Sequence, residues 1–233
     1  MTCRRILSLV FAASLLLAGC RSKTPETTSE TTPPEPTPAA DTASDAAAPD
    51  GRPVIVAFGD SLTAGYGADA GESYPDYLEK DLNAQGYHYQ VVNQGISGNT
   101  TKDGVDRLQD ALSLKPVLVI VAFGGNDGLR GLPIANTREN LDHMVSTLQQ
   151  SGAKVVLGGI TLPPNYGADY IRQFNQTYAL LAAKYHVPML PFLLKNVYGV
   201  AGGMQADGIH ATDQGNAQVA KNLLPLIEPL LVK

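Results

Sequence analysis

Five short apolar runs, Val54 to Phe58, Tyr89 to Val92, Val117 to Phe123, Val155 to Leu157 and Val187 to Leu190, alternate with amphipathic stretches along most of the chain. Runs this short and this uniformly apolar suit strands covered on both faces, the situation inside a parallel sheet. Parallel neighbours need long crossovers, and helix-like segments supply them near Tyr74 to Gln85, Thr101 to Leu112, Asn136 to Gln150, Ala168 to Tyr185 and Thr212 to Leu230. In the third segment Asn136 and Glu139 make a capping-box pattern, Leu141, Met144, Val145 and Leu148 share one face, and Gly152 provides a stop. Right-handed crossovers then predict an α/β fold, a flavodoxin-like three-layer α/β/α sandwich around a five-stranded parallel sheet. Functional loops are expected at the carboxyl ends of its strands.

The chain ahead of this pattern has a different character. Arg4 and Arg5 precede an apolar run, Ile6 to Leu17, that is too short to span a hydrocarbon core comfortably, which predicts a signal peptide over residues 1–19. The run closes on Leu17-Ala18-Gly19-Cys20, which resembles the bacterial lipobox, so Cys20 is the expected lipidation site. An ordinary signal peptide with an incidental cysteine is the alternative. The sequence has two cysteines; Cys3 would leave with the signal and a lipidated Cys20 cannot pair, so no disulfide is expected. From Arg21 to Asp50 there is no Val, Ile, Leu, Met or aromatic residue. Residues 20–50 therefore have too little apolar surface to offset ordering entropy and read as a lipid-anchored, disordered Thr/Pro/Ala-rich linker. Arg21 and Lys23 are outnumbered there by Glu26, Glu30, Glu35, Asp41, Asp45 and Asp50, so self-repulsion and proline keep the linker extended. Together these features predict an exported, periplasmic or cell-envelope lipoprotein. Arg21 stands where inner-membrane lipoproteins commonly carry aspartate, which points to the outer membrane.

Residues 51–233 are a comfortable size for one domain with one core. The chain is acidic, with a formal net charge of −5, and contains no basic run, so nucleic acid is not an expected partner. A monomer is the default expectation.

Chemistry-bearing residues sit where the runs end. Ser61 follows the first run in Gly59-Asp60-Ser61-Leu62-Thr63; on this pentapeptide alone, a serine capping a short helix stays open beside a nucleophile. After the second run comes Asn93-Gln94-Gly95-Ile96-Ser97-Gly98-Asn99-Thr100, and after the third Phe123-Gly124-Gly125-Asn126-Asp127-Gly128. Backbone N–H groups beside glycine, together with an asparagine amide, are what an oxyanion hole requires, although either loop alone could be a simple turn. Near the far end lies Asp207-Gly208-Ile209-His210, just before a helix that Thr212 or Asp213 could cap. A carboxylate three residues from an imidazole can accept from Nδ1–H and leave Nε2 free to take a serine proton. The alternative is a capping aspartate and a surface histidine. His88, His143 and His186 lack such company. There is no His-Glu-x-x-His motif, Walker loop or Gly-x-Ser-x-Gly elbow, and neither a metal nor a cofactor is expected.

Taken together, Gly-Asp-Ser-Leu at 59–62, Gly98, Gly-Gly-Asn-Asp at 124–127 and Asp-Gly-Ile-His at 207–210 resemble the four blocks of the SGNH (GDSL) hydrolase family, in order and spacing. The resemblance runs from about Pro53 through the body. Gly128 to Leu132 and Leu162 to Gly167 further resemble the family's bacterial periplasmic thioesterase I, lysophospholipase and arylesterase group. The resemblance implies Ser61 as nucleophile, Asp207 and His210 as the rest of a triad, and Ser61 N–H, Gly98 N–H and the Asn126 amide as the oxyanion hole. It implies hydrolysis of carboxylic esters and thioesters through an acyl-enzyme, acting on small acyl esters, thioesters or lysophospholipids. Asp60, Asp127, Leu129, Pro164, Tyr166 and Ile209 are the candidate substrate contacts. The pattern departs at Ala211, where the family usually has proline, and the turn carrying His210 is expected to be looser for it. Two other functions compete: O-deacetylation of envelope polysaccharide, and non-catalytic lipid or glycan binding.

Overall fold

The computed structural model describes residues 50–233; the expected signal peptide, Cys20 and the linker up to residue 49 lie outside the described residues. In chain order the elements are β1 (Val54–Gly59), α1 (Ser61–Ala64), α2 (Tyr74–Ala84), β2 (Gln90–Gly95), α3 (Thr101–Asp106), α4 (Leu108–Ser113), β3 (Leu118–Ala122), α5 (Gly125–Leu129), α6 (Ile134–Gln150), β4 (Lys154–Gly158), a 3-10 turn at Pro164–Tyr166, α7 (Ala168–Tyr185), β5 (Met189–Leu190) and α8 (Asp213–Ile227). The five strands form one parallel sheet in the order β2-β1-β3-β4-β5. This is the α/β architecture that the alternation of runs predicts. The central strands β1 and β3 are buried at every position, which is why their sequences are unbroken apolar runs and do not alternate with polar residues. Helix α2 packs against α8, while α3, α6 and α7 pack in succession.

The register brings Gly59 of β1 level with Gly95 of β2 and Ala122 of β3, so three strands end on one line. A Cβ on Gly59 would lie 2.0 Å from the Thr63 hydroxyl, and one on Gly95 would lie 2.1 Å from the Ala64 backbone nitrogen. Their bare backbones let α1 lie directly on the sheet edge, and that places Ser61.

Three expectations need correction. Helix α6 begins two residues before Asn136, with Pro133 as its N-cap and no side-chain cap, so the Asn136–Glu139 box does not form. Proline's φ of −58° already presets the helical entry, and Asn136 N–H closes the first turn onto the Pro133 carbonyl. Capping boxes occur instead at α2, between Ser73 and Asp76, and at α3, where the Thr100 N–H donates to Asp103 at 2.8 Å and the Asp103 N–H donates back to the Thr100 hydroxyl. The single helix expected over Thr101 to Leu112 is split at Arg107, whose side chain is drawn inward to the ends of the strands. The last helix gives way after Ile227 to a 3-10 turn, two residues after Pro225 within it. The apolar face of α6 is as expected: Leu141, Met144, Val145 and Leu148 are fully buried.

Thr100→Ala should cost about 1 kcal/mol of unfolding free energy through the lost cap, while Asn136→Ala should stay within about 0.5 kcal/mol. Urea unfolding of the two variants beside the parent checks this, and equal losses would contradict the assignment of the caps.

Candidate active site

Ser61 is the first residue of α1, two residues past the end of a buried strand. The helix is capped not by Ser61 but by Asp60, whose carboxylate accepts from the Leu62 N–H at 3.0 Å. That leaves the Ser61 hydroxyl for another partner: its Oγ lies 2.9 Å from Nε2 of His210. Nδ1 of the same ring lies 2.6 Å from Oδ2 of Asp207, and Oδ1 of Asp207 accepts from the backbone N–H groups of Ile209 (2.9 Å) and His210 (3.0 Å). Burial pushes the Asp207 carboxyl up, but the His210 ring and the two backbone donors outweigh it and hold the group below its ordinary range. Asp207 is therefore a carboxylate aimed at the imidazole, as the Asp-x-x-His spacing suggests.

The turn that carries His210 has backbone pairing in place of a proline ring. Gln205 N–H donates to the His210 carbonyl at 2.8 Å, Thr212 N–H donates to the Gly203 carbonyl at 3.0 Å, and Ala211 is bridged to Met204 and buried. The Gln205 side-chain amide donates to both the Ala211 carbonyl (2.8 Å) and the Tyr66 carbonyl (2.7 Å), strapping this turn to the loop after α1. The Tyr66 ring sits 4.6 Å from the His210 ring, centroid to centroid. Thr212, not Asp213, caps α8 by accepting from Gly215 N–H.

Gly98 and Asn126 border the same cleft as Ser61. Gly98 has φ = +81°, a left-handed conformation that glycine adopts without strain. The Asn126 side-chain amide donates to the Asn99 carbonyl at 2.9 Å, which joins the two loops that bring it and Gly98 to the sheet edge. The cleft holds about 480 Å³ and is walled largely by apolar side chains. Of the candidate substrate contacts, Leu129, Pro164 and Ile209 line it. Asp60 borders it but is 2% exposed and already engaged as a cap. Two candidates are corrected. Asp127 is buried away from the cleft, where it accepts from the N–H and hydroxyl of Thr101 and from the Thr137 hydroxyl. Tyr166 braces the wall from outside, donating to the Leu129 carbonyl at 2.8 Å. Ile160, Phe192, Leu194 and Tyr198 are also among the lining residues and carry no signal in the sequence, because isolated apolar residues in connecting segments have no period. Among the described residues no cluster of His, Cys, Asp and Glu is placed to hold a metal ion.

Such a site can transfer a proton from a hydroxyl to an imidazole beside an apolar cleft. Comparison with known proteins places the chain among hydrolases. The model of the GDSL-like Lipase/Acylhydrolase family matches residues 57–218. "Esterase TesA" of Pseudomonas aeruginosa is 43% identical over 178 residues, covering 76% of this chain and 89% of that protein. "Thioesterase 1/protease 1/lysophospholipase L1" of Escherichia coli strain K12 is 36% identical over 178 residues, covering 76% of this chain and 84% of that protein. The crystal structure of TesA aligns with a TM-score of 0.74 at 43% identity, over 76% of this chain and 99% of that one.

One buried group next to the site has a pH consequence. Burial raises Asp60 from its ordinary value of 3.8 to about 7, reinforced by Asp127 and opposed by the Leu62 N–H and Arg107. The folded protein then binds the Asp60 proton more tightly than the unfolded chain does. Its contribution to stability is full below pH 3.8, falls as pH rises and levels off above about 7. Asp60→Asn keeps an acceptor for Leu62 and removes the ionisation. Its stability relative to the parent should therefore rise between about pH 4 and 7 and then stay constant. Urea unfolding of both proteins across that range checks it; a difference that does not vary with pH would refute the assignment.

Proposed function

This chain belongs to the GDSL-like Lipase/Acylhydrolase family of serine ester hydrolases, and from that premise we propose how its own residues perform the reaction and on what. The observation that carries the proposal is the unbroken run of hydrogen bonds Asp207–His210–Ser61 beside an apolar cleft of about 480 Å³. A serine hydroxyl is a weak nucleophile at neutral pH and needs a base in hydrogen-bond contact. His210 Nε2 takes the Ser61 proton as Oγ attacks the carbonyl carbon, and Asp207 holds the ring's tautomer and stabilises the imidazolium. The Ser61 and Gly98 N–H groups and the Asn126 amide receive the tetrahedral oxyanion. Collapse of that adduct expels the alcohol or thiol, protonated by His210, and leaves an acyl ester on Ser61. Water then adds with His210 again as base, and the acid leaves. Every step uses groups of the chain, its substrate and water.

The apolar walls, with Leu129, Pro164, Phe192 and Ile209 among them, favour single acyl chains: carboxylic esters, thioesters and lysophospholipids. They give little support to polysaccharide O-deacetylation, since a glycan would need more polar partners, and a non-catalytic binding protein would have no use for the proton route. All the proposed catalytic groups come from one chain, so a monomer is a complete enzyme. The Arg4-Arg5 head, the apolar run to Leu17 and the lipobox-like Leu17 to Cys20 support export, acylation at Cys20 and outer-membrane anchoring, with residues 21–50 as a spacer between bilayer and enzyme. An exported enzyme would not meet cytosolic acyl-CoA, which makes esters and lysophospholipids the working substrates and thioester cleavage incidental.

p-Nitrophenyl esters of increasing acyl length should be hydrolysed by the parent, with Ser61→Ala slower by roughly 10³-fold or more. Asn126→Ala should lose about 3 kcal/mol of transition-state stabilisation, read in kcat. Equal rates for parent and Ser61→Ala would end the proposal, and a preference for acetylated glycans over acyl esters in the same panel would replace its substrate class. Labelled palmitate should appear on the protein in bacterial cells and vanish with Cys20→Ser; label persisting in that variant would overturn the anchor.

A further inference from the structure

The three oxyanion donors come from three separate loops, at the ends of β1, β2 and β3, and a hole made this way works only if their spacing is held. Arg107 lies where the three loops meet. It interrupts what would otherwise be one helix from α3 into α4, and its half-buried side chain reaches beneath the strand ends. Its Nη2 donates to the Gly59 carbonyl and its Nε to the Asn99 side-chain oxygen, both at 2.7 Å. The guanidinium carbon sits 4.5 Å from the Phe58 ring centroid and 5.3 Å from that of Phe123, over two rings packed edge to face. Phe58 and Gly59 lead directly into Ser61, Asn99 follows Gly98, and Phe123 leads through two glycines into Asn126. The Asn126 amide is in turn bound to the Asn99 carbonyl.

We propose that Arg107 is the positioning residue of the oxyanion hole: its planar fork ties the Gly59 carbonyl to the Asn99 side chain and so sets the distances among the Ser61 N–H, the Gly98 N–H and the Asn126 amide. It touches no substrate and acts only through these groups. A lysine cannot serve in its place, because one ammonium on a flexible stem cannot hold two acceptors in a fixed plane or lie flat across two rings. The role rests on the acyl-enzyme reading above and deepens it.

Arg107→Lys and Arg107→Met should lower kcat on p-nitrophenyl butyrate roughly 10- to 100-fold, Met more than Lys, with KM within about twofold of the parent. A residue needed only for folding would lower the folded fraction instead, so kcat is taken per folded molecule from urea unfolding of each variant. In a double-mutant cycle, Arg107→Met should cost less than about threefold once Asn126→Ala has removed the donor it helps to place. Parent-like kcat, a loss confined to KM, or losses that multiply in full with Asn126→Ala would each overturn the role. If the Arg107 variants do not fold, Asn99→Ala decides by the same criteria, since it removes the Nε acceptor and leaves the carbonyl that holds Asn126. An active parent, a Ser61→Ala variant that is inactive and unaffected Arg107 variants would refute the positioning role alone. Equal rates for parent and Ser61→Ala would take the acyl-enzyme reading down with it.

Discussion

The Ser61–His210 contact is a single hydrogen bond of 2.9 Å between side chains 149 residues apart, and most of the structure can be read as the means of making it. A bond of that length tolerates only a few tenths of an ångström of error. The two ends of the chain must therefore be fixed to one another independently of the bond itself. Strand β1 lies inside the sheet between β2 and β3, so the backbone leading to Ser61 is held on both sides. On the other end, α8 packs along α2, and the segment before it is fastened by Gln205, which binds the His210 turn and the Tyr66 loop at once. Asp213, at the start of α8, adds a further tie to the Asp69 N–H.

Beneath this contact lies a layer of buried and half-buried polar groups held by hydrogen bonds to one another and to the backbone at the strand ends, with Nη1 of Arg107 left unpaired. Asp127 is surrounded by Thr101 and Thr137, Asp60 caps α1, and Arg107 joins β1 to the loop after β2. Their charges act on one another through a poorly solvated interior. Asp127 raises Asp60 while Arg107 lowers it, and burial brings Arg107 itself down to about 10. Such groups are engaged with the protein's own backbone and side chains, and they help to decide where the groups facing the cleft stand. Asp127 illustrates the distinction: it belongs to the same short motif as Asn126, one residue away, and points into the protein instead of the cleft.

The acyl cleft was assembled differently. Leu129 and Pro164 belong to recognisable stretches, but Phe192, Leu194 and Tyr198 come from the connection between β5 and α8, whose sequence has neither helical nor strand periodicity. An apolar residue in a loop is uninformative until the path of the loop is known, because about half of any folded surface is apolar as well. The same holds for Arg107. In one dimension it is a cation in the middle of an amphipathic helix, and only the inward turn of its side chain distinguishes it from a solvated one.

By itself the sequence determined what depends on local chemistry and on period: strand and helix identities, the doubly wound sheet they imply, and the few positions where a nucleophile, a base and a carboxylate could sit. Apolar runs, helical spacing and short motifs such as Asp207 to His210 act within a few residues, so they are legible in one dimension. Tertiary structure alone decided which candidates face the cleft, where α6 begins, why the helix after Thr101 breaks, and what lines the acyl wall. Those outcomes turn on contacts between residues far apart in the chain, such as Arg107 with Gly59 or Gln205 with Tyr66, and no local preference of either partner encodes the distance between them.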